Sequence, residues 1–353
     1  MWNMKRFVYL FVSIVLCFTA LSSEAQVTDN IFRVLTDVNS ARVAALGGRP
    51  LPVHDGDLQT AVFNPSTISP EMNNQMTVSY VGDFNVGTHF ATTQYSHTFD
   101  KLGSFAASVL YYNYGTMQYV SENGYTDGST FSASNYALTL GWGRELTDKW
   151  SIGANLKYVG CQYEVGRAGA LGVDVAATYW SYTDWAFTLA ARNIGHQLFA
   201  VEMYNEDKWL PFSLDFMASK KLAHLPLTII LGYHDIQRWN MTFDDPLHLY
   251  DSYDPITGEY TTRSKTAQFF TNLGCHIIVG GELALGKNLF LRASYNYDTH
   301  NKMDVPSKRT LIGFSAGFGV KVKAFQIDYA FSRNNIVGSP HFLTLRVDLS
   351  KFK

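Results

Sequence analysis

Residues 313–317 spell G-x-S-x-G, the pattern of a strand, a strained turn and a helix that presents a nucleophilic serine in many hydrolases. That chemistry requires the chain to turn sharply at Ser315. Here the apolar residues keep a period of two from residue 312 to residue 320, which predicts one uninterrupted strand. We therefore expect Ser315 to point into the fold beside small glycines, and we expect the protein not to be an enzyme.

The ten histidines are scattered, with no pair at metal-ligand spacing. His89 and His97 fall on one strand-like segment and His234 falls on another. Hydrogen bonding explains such isolated side chains. A metal site is the open alternative, although nothing in the sequence requires one, and we expect no cofactor.

The elements that carry these residues are strands. From about residue 75 to residue 349, the chain reads as fourteen segments of alternating hydrophobicity. In residues 150–159, for example, one face carries Trp150, Ile152, Ala154, Leu156 and Tyr158. Residues 289–297 and 343–349 alternate in the same way. This is the pattern of a strand with one apolar face toward lipid and one polar face toward a lumen.

The connections between these segments alternate in length. Short ones lie near residues 100–103, 147–149, 181–184, 223–226, 286–288 and 322–324. Longer ones lie at residues 115–129, 162–169, 195–211, 239–264 and 300–308, with a shorter one at 335–340. Outer-membrane barrels have short periplasmic turns and longer external loops. The sequence therefore predicts an all-β, fourteen-stranded antiparallel outer-membrane barrel over residues 75–353, with its long loops at the cell surface.

Composition supports a membrane barrel over a soluble sandwich. Charged residues make up 16% of the chain and aromatic residues 15%, as expected where a lipid-facing band replaces a solvated surface. The formal net charge is -2 and no basic tract occurs, which excludes nucleic acid as a partner. Cys161 and Cys275 fall five segments apart, so we expect two buried or lipid-facing thiols.

The amino terminus has the features of a secretory signal peptide. Lys5 and Arg6 precede an apolar run at residues 7–20, and Ser23 and Ala25 occupy the small-residue positions of a cleavage site. We therefore assign residues 1–25 to a signal peptide. Export of this kind is required for a protein of a Gram-negative outer membrane.

Residues 26–74 lack sustained alternation and are rich in glycine and proline. A lumen of fourteen strands, with a radius of roughly 15 Å, is too wide for its own side chains to fill. We expect this segment to enter from the periplasmic side and plug the lumen as a hatch. Consecutive Gly47 and Gly48 permit positive φ and close approach to the wall. Arg42 carries five donors that need acceptors if enclosed, such as Asp174, Asp328 or Asp348; contact with periplasmic water is the alternative.

The runs "SARVAALGG" at residues 40–48 and "AVFNPS" at residues 61–66 resemble the hatch of FadL-like outer-membrane proteins. More narrowly, they resemble the PorV/PorQ branch of type IX secretion components. Arg42, Gly47, Gly48, Asn64 and Pro65 carry the resemblance. It implies a non-enzymatic surface anchor for a soluble PorZ-like partner of an attachment complex, beside PorV/PorU-like components and outer-membrane lipid. The alternative that it implies is a FadL-type transporter of hydrophobic small molecules.

Residues 239–264 form the most suggestive connection. The acidic and aromatic residues that we single out for partner binding are Trp239, Asp244, Asp245, Tyr250, Tyr253, Asp254 and Tyr260. Exposed aromatics can anchor an interface, and acidic residues can select a partner. The same residues could instead pack as a folded loop over the mouth of the barrel. Calcium binding is a weaker option because the acidic residues lack an ordered ligand spacing.

Overall fold

The computed structural model describes residues 30–83, 87–121, 123–164, 166–201, 208–241, 252–253, 260–261, 264–303, 311–334 and 338–352. In this part of the chain, fourteen strands form a closed antiparallel barrel in which each strand pairs with its neighbours in sequence. The first strand pairs with the last, with Val78 opposite Leu345, and this pairing closes the wall. The predicted fold class is confirmed.

The barrel strands are β1 Gln75–Asp83, β2 Thr88–Phe99, β3 Gly103–Gln118, β4 Thr130–Thr147, β5 Trp150–Tyr163, β6 Gly166–Trp180, β7 Trp185–Ala200, β8 Ser213–Lys221, β9 Leu227–Tyr233, β10 Ile277–Leu285, β11 Leu289–Asn296, β12 Phe314–Val322, β13 Phe325–Ser332 and β14 His341–Asp348. Among the described residues, three α-helices and several short 3-10 helices accompany them; the α-helices are α1 Ala41–Ala45, α2 Lys265–Cys275 and α3 Tyr297–Met303. Two further strands of two residues each, Ser252–Tyr253 and Tyr260–Thr261, pair antiparallel with each other.

The alternation read from the sequence describes the two faces of the wall. On β5, Ser151, Asn155 and Lys157 are buried inside the barrel, whereas Leu156 is 54% exposed on the outside. Outward Val78, Leu138, Leu291 and Leu343 are exposed in the same way. Trp142, Trp150, Trp180 and Trp185 lie close to the short turns, where a membrane interface favours aromatic side chains. An apolar outer band with an aromatic rim fits an outer membrane.

The two ends of the barrel differ. One end, here called the turn end, holds the short turns and both termini of the barrel; the other, the loop end, holds the longer connections, α2 and α3. Two expectations at the loop end were wrong in detail. Most of residues 162–169 continues β5 and β6, with Tyr163 opposite Gly166. Cys275 ends α2 and does not lie on a strand.

Within the described residues, no helix is both long and apolar enough to cross a bilayer.

Candidate functional site

Residues 30–74, here called the inner segment, run through the barrel from the loop end to the turn end. At the loop end, the Asn30 side-chain amide donates to the Trp209 carbonyl at 2.7 Å and the Tyr163 hydroxyl donates to the Ile31 carbonyl at 3.2 Å. At the turn end, the Asn74 amide donates to the Ser96 carbonyl at 3.0 Å. The candidate site is therefore the filled lumen itself.

Helix α1 places Arg42 against the wall. The Ser40 side chain caps α1 by accepting a hydrogen bond from the Val43 amide at 3.3 Å. The chain then turns away at Gly47 and Gly48, whose φ angles of 101° and 75° favour glycine. A Cβ on Gly47 would overlap the Ile278 side chain of β10. The two glycines thus combine a left-handed turn with close approach to the wall.

Arg42 lies in a buried set of ion pairs, here called the central network. Its guanidinium contacts Asp57 at 3.0 Å, Asp55 at 2.5 Å and Glu282 of β10 at 3.0 Å. Arg292 of β11 contacts Glu282 at 2.6 Å and Asp328 of β13 at 2.5 Å. The remaining members bridge back to the inner segment: Gln59 donates to Asp328 at 2.6 Å and Arg346 of β14 contacts Asp57 at 3.3 Å.

The central network leaves Arg42 only 3% exposed, so the alternative of simple solvent contact is wrong. The expected acceptors were also wrong, because Asp174 pairs with Lys157, Asp328 with Arg292 and Asp348 with Lys351. The actual acceptors lie partly within the inner segment itself, and strand alternation alone could not reveal that.

Two ionisable groups of the inner segment are fixed in their charged forms by the central network. Burial by itself would lower the pKa of Arg42, but Asp55, Glu282 and Asp57 outweigh it and raise this pKa well above its usual range. Burial by itself would raise the pKa of Asp57, but Arg346, Arg42 and Arg292 lower it to about 2. Both groups therefore stay ionised across the physiological pH range.

Asn64 and Pro65 form a turn that fits against β4 to β7. The side-chain carbonyl oxygen of Asn64 accepts a hydrogen bond from the Ser66 backbone amide at 3.2 Å. The side-chain amide of Asn64 donates to the Leu51 carbonyl and to the Thr188 hydroxyl. The Ser66 hydroxyl lies 2.6 Å from that of Thr178. The turn can sit so close because the wall opposite it, at Gly143 and Gly153, has no side chains: a Cβ on either would overlap the backbone of residues 65–68.

We predict that Gly153→Ala lowers the free energy of unfolding by about 1–3 kcal/mol, because the new methyl group cannot share space with the Pro65 carbonyl. Gly281→Ala is the matched control, since its Cβ would meet Leu227 at an ordinary 3.6 Å. The measurement is the denaturant midpoint of the purified barrel in detergent. Equal midpoints for the two variants would contradict the proposed fit.

At the loop end, apolar side chains surround Phe32. Phe32 is fully buried and shares one apolar cluster with Phe90, Leu110, Val159 and Leu210. We call this cluster, whose members also include Val81, Leu35 and Phe342, the loop-end chamber. In the described part of the chain it is filled by the inner segment. Phe32 could not be singled out from the sequence, because a single aromatic residue in an irregular segment has no periodicity.

Below the loop-end chamber lies a cavity of about 20 Å³, enough for one water molecule, lined by residues that include Asp37 and Lys157. A larger cavity of about 210 Å³ lies at the turn end among polar residues such as Asp55, Lys321 and Arg346. Burial raises the pKa of Asp37 to about 6, although Arg33 acts in the opposite direction.

We predict that docking of the inner segment beside Asp37 weakens as pH rises. Burial raises the pKa of Asp37 in the docked state above its ordinary value, so docking is strongest below about pH 4 and weakens through pH 6. The buried thiol of Cys161, 3.4 Å from the Ile31 carbonyl, can report undocking through its rate of modification. The rate of Cys161 modification is measured in the wild type and in Asp37→Asn at each pH. The ratio of the wild-type rate to the Asp37→Asn rate should rise about tenfold from pH 4.5 to pH 8. A constant ratio would refute the prediction.

The other singled-out residues have separate outcomes. Ser315 lies inside β12, where its hydroxyl pairs with that of Ser332 at 2.5 Å. Cys161 and Cys275 are buried and unpaired with each other, as expected. Trp239 is 48% exposed and stacks near Phe269 of α2. Asp244, Asp245, Tyr250 and Asp254 lie outside the described residues, as does the signal peptide. Tyr253 and Tyr260 are described only by their backbone pairing.

Several residues of the site were not singled out from the sequence. Glu282 and Arg292 carry the central network from the wall together with Asp328, and both are charged residues at inward positions of an otherwise apolar alternation. That signal was present and could have identified them. Arg49, which contacts Asp235 at 2.8 Å, had no such signal because it lies in the irregular inner segment.

Comparisons with known proteins support the fold. No protein-family model matches the chain, and no curated protein matches it. The deltaS2 mutant of the monoaromatic hydrocarbon channel TodX matches with a TM-score of 0.52 and 13% identity, over 88% of this chain and 98% of that one. Its deltaS2S3 mutant matches with a TM-score of 0.50 and 12% identity, over 87% and 97%. A Pseudomonas aeruginosa FadL homologue has a TM-score of 0.49 and 11% identity, over 88% and 98%.

The chain is therefore a closed fourteen-stranded antiparallel barrel with a fold like that of the TodX structures. At identities of 12–13%, this likeness defines the fold and nothing finer. Both TodX structures are named as monoaromatic hydrocarbon channels. The narrower resemblance to the PorV/PorQ branch stays a prediction.

Proposed function

We propose that this protein carries hydrophobic small molecules across the outer membrane, the alternative that the sequence offered. The observation that carries the proposal is the loop-end chamber, an apolar site inside a barrel wall that is occupied by Phe32 of the protein's own inner segment. An apolar site of this kind could hold an apolar ligand if Phe32 withdrew. The two TodX structures, named as hydrocarbon channels, support the same ligand class.

The two halves of the inner segment are held very differently. Residues 30–32 are tied to the wall mainly by hydrogen bonds from Asn30 to Trp209 and from Tyr163 to Ile31, with a weaker thiol contact from Cys161. Residues 40–59 are held by the central network. The loop-end half is therefore the part that can withdraw at lower cost, while the central network keeps the lumen closed to water and ions.

The geometry of β6 and β7 favours this part of the wall as the place where a ligand would leave the loop-end chamber. Gly172 faces Gly195 there, and Leu210 fills the space that their missing side chains leave. The register shifts nearby, between Val173 and Val175, and Asn193 has a φ of 56°. Such a bulge bends a strand and weakens the ladder. This supports sideways release of a ligand in preference to flow along the sealed lumen.

The test is uptake of ¹⁴C-labelled toluene and ¹⁴C-labelled oleate by Gram-negative cells that lack their own FadL-type channel. Cells that produce this protein should take up at least one compound several-fold faster than cells with an empty vector. The Ser66→Cys/Thr178→Cys variant tests whether the Asn64–Pro65 turn must move during uptake. In the wild type, the hydroxyls of Ser66 and Thr178 lie 2.6 Å apart, so oxidation of the two cysteines should join the turn to the wall. Uptake should stay intact after oxidation if only residues 30–35 withdraw. Uptake at the vector level for both compounds, with folded barrel in the membrane, would overturn the proposal.

A second candidate is the non-enzymatic surface anchor of a type IX secretion system, with PorQ as the closer counterpart within the PorV/PorQ branch. Two observations favour it: the sealed central network, and an aromatic surface of Trp239, Phe269 and Phe270 exposed at the loop end. It requires a soluble PorZ-like partner. The residues proposed for partner binding in 242–263 carry this hypothesis together with Trp239.

Affinity purification from native outer membranes discriminates the two candidates. An anchor should co-purify with a soluble surface protein, and deletion of residues 244–259 should release that protein while the barrel remains folded and heat-modifiable. A transporter should purify without a stoichiometric soluble partner. Retention of the partner by the deletion variant would exclude this loop as the contact.

A further inference from the structure

Three potential metal ligands converge on the inner face of the wall at the loop end. Asp215 lies on β8, and His234 and Asp235 follow β9 directly. Their ligand atoms all lie within 4.8 Å of one another. Asp215 and His234 are fully buried, and Asp235 is 17% exposed. Two carboxylates this close and this buried require a cation, because their mutual repulsion is poorly screened there.

In this structure the cation is Arg49 of the inner segment. Its guanidinium contacts Asp235 at 2.8 Å and Asp215 at 3.5 Å. The backbone amide of Asp235 also donates to Asp215 at 3.1 Å, and His234 Nδ1 lies 2.8 Å from the Asp235 carboxylate. All three wall residues are thus fixed in place, whereas the cation between them belongs to a separate part of the chain.

Two imidazole nitrogens in this region have no hydrogen-bond partner among the residues that the structure describes. His234 and His276 are both fully buried, and the Nε2 atom of each is unpartnered. His276 Nδ1 donates to the His234 carbonyl at 2.7 Å, which fixes the two rings 6.3 Å apart. A buried unpartnered imidazole nitrogen costs free energy, and it is a good ligand for a divalent metal in its neutral form. The unpartnered Nε2 of His234 is a second observation, independent of the carboxylates, that points to a metal ion.

We propose that Asp215, His234 and Asp235 form a divalent transition-metal site in the barrel wall, for which Arg49 is the competing internal cation. Imidazole and carboxylate ligands suit Zn²⁺. The metal and the guanidinium cannot occupy the same space, so the site binds metal when Arg49 withdraws. By linkage, metal binding favours the withdrawn position of Arg49 to the same degree that Arg49 disfavours metal. The inference concerns the wall and Arg49 alone and does not depend on transport.

The test is isothermal titration of purified, tag-free protein in detergent with Zn²⁺. Arg49→Met, which keeps an apolar stem and removes the charge, should bind one Zn²⁺ per chain about tenfold or more tightly than the wild type. Arg33→Met, which removes an exposed arginine of the same inner segment, is the matched control and should bind as the wild type does.

Arg49→Met/Asp215→Asn should lose that zinc binding, since one carboxylate ligand is gone. If Arg49→Met binds no zinc, or binds it as tightly as the double variant, the site does not exist. Should Arg49→Met fail to fold, Arg49→Lys allows the same comparison. Its flexible ammonium group should give a zinc affinity between those expected for the wild type and for Arg49→Met. A zinc affinity of Arg49→Lys equal to that of the wild type would count against competition.

Discussion

Replacement of Arg42 by Met should open the lumen of the barrel. The substitution removes the guanidinium that contacts Asp55, Asp57 and Glu282. Asp57, which is only 2% exposed, then keeps Arg346 as its ion-pair partner. Loss of one partner from a buried ion pair costs about 3–5 kcal/mol. If that cost falls on docking of the inner segment, the undocked population rises by a factor of about a hundred or more.

The effect of Arg42→Met can be measured as ion conductance of the purified barrel in planar lipid bilayers. The wild type should be closed, and Arg42→Met should show frequent open events. Arg33→Met is the control, because Arg33 is exposed and belongs to the same inner segment. Wild-type conductance for Arg42→Met would mean that the wall holds the inner segment without the central network.

The same substitution should change the response to acid. The pKa of Asp57 is about 2 in the wild type, below its ordinary value, so Asp57 stabilises docking above about pH 4 and this stabilisation is lost as pH falls toward 2. Without Arg42, the pKa of Asp57 rises toward its ordinary value, although Arg346 and Arg292 still lower it. The conductance of Arg42→Met should therefore change less between pH 4 and pH 2 than that of the wild type.

Replacement of Phe32 by Ala should expose the loop-end chamber. Phe32 is fully buried, and truncation of a buried phenylalanine costs about 3–5 kcal/mol. Burial of Val34 and Leu35 and the hydrogen bonds of Asn30 and Ile31 then hold residues 30–35 less tightly, so this part of the inner segment should undock more often. We expect the Cys161 thiol, 2% exposed in the wild type, to react with a methanethiosulfonate reagent at least about a hundredfold faster.

Two comparisons sharpen the Phe32 experiment. Cys275→Ser removes the other buried thiol, so that modification reports Cys161 alone. Phe99→Ala removes a phenylalanine that is 47% exposed at the turn end, and it should leave the rate unchanged. A bound hydrophobic ligand should slow modification of Phe32→Ala again. Unchanged reactivity of Cys161 in Phe32→Ala would show that Phe32 does not close the loop-end chamber.

The strands were predictable because the wall has only two environments. Each inward residue faces the lumen and each outward residue faces lipid, so the period of two survives in the sequence, as Ser151 and Leu156 on β5 illustrate. Connection lengths then gave the number of strands and their pairing with sequence neighbours. Helix α2 was not anticipated, because its eleven residues lie between a long connection and β10 and were not separated from either.

For the candidate site too, some residues could be predicted from the sequence and others could not. Arg42, Gly47, Gly48, Asn64 and Pro65 could be singled out from residue type alone, because buried charge, positive φ and a capped proline turn each require particular residues. Their partners could not. Arg42 meets Glu282 across 240 positions of sequence, and Asn64 meets Thr188 across 124. Contacts at such separations depend on how an irregular segment folds within the barrel.

Sequence by itself therefore determined the class of fold: a fourteen-stranded barrel with an apolar exterior, since local periodicity and turn chemistry depend on neighbouring residues. Tertiary structure decided which residues close the lumen and how firmly. The ion pairs around Arg42, the burial of Phe32 and the position of Arg49 between Asp215 and Asp235 all join the inner segment to distant strands. Such contacts arise only when the closed wall brings those strands around one interior.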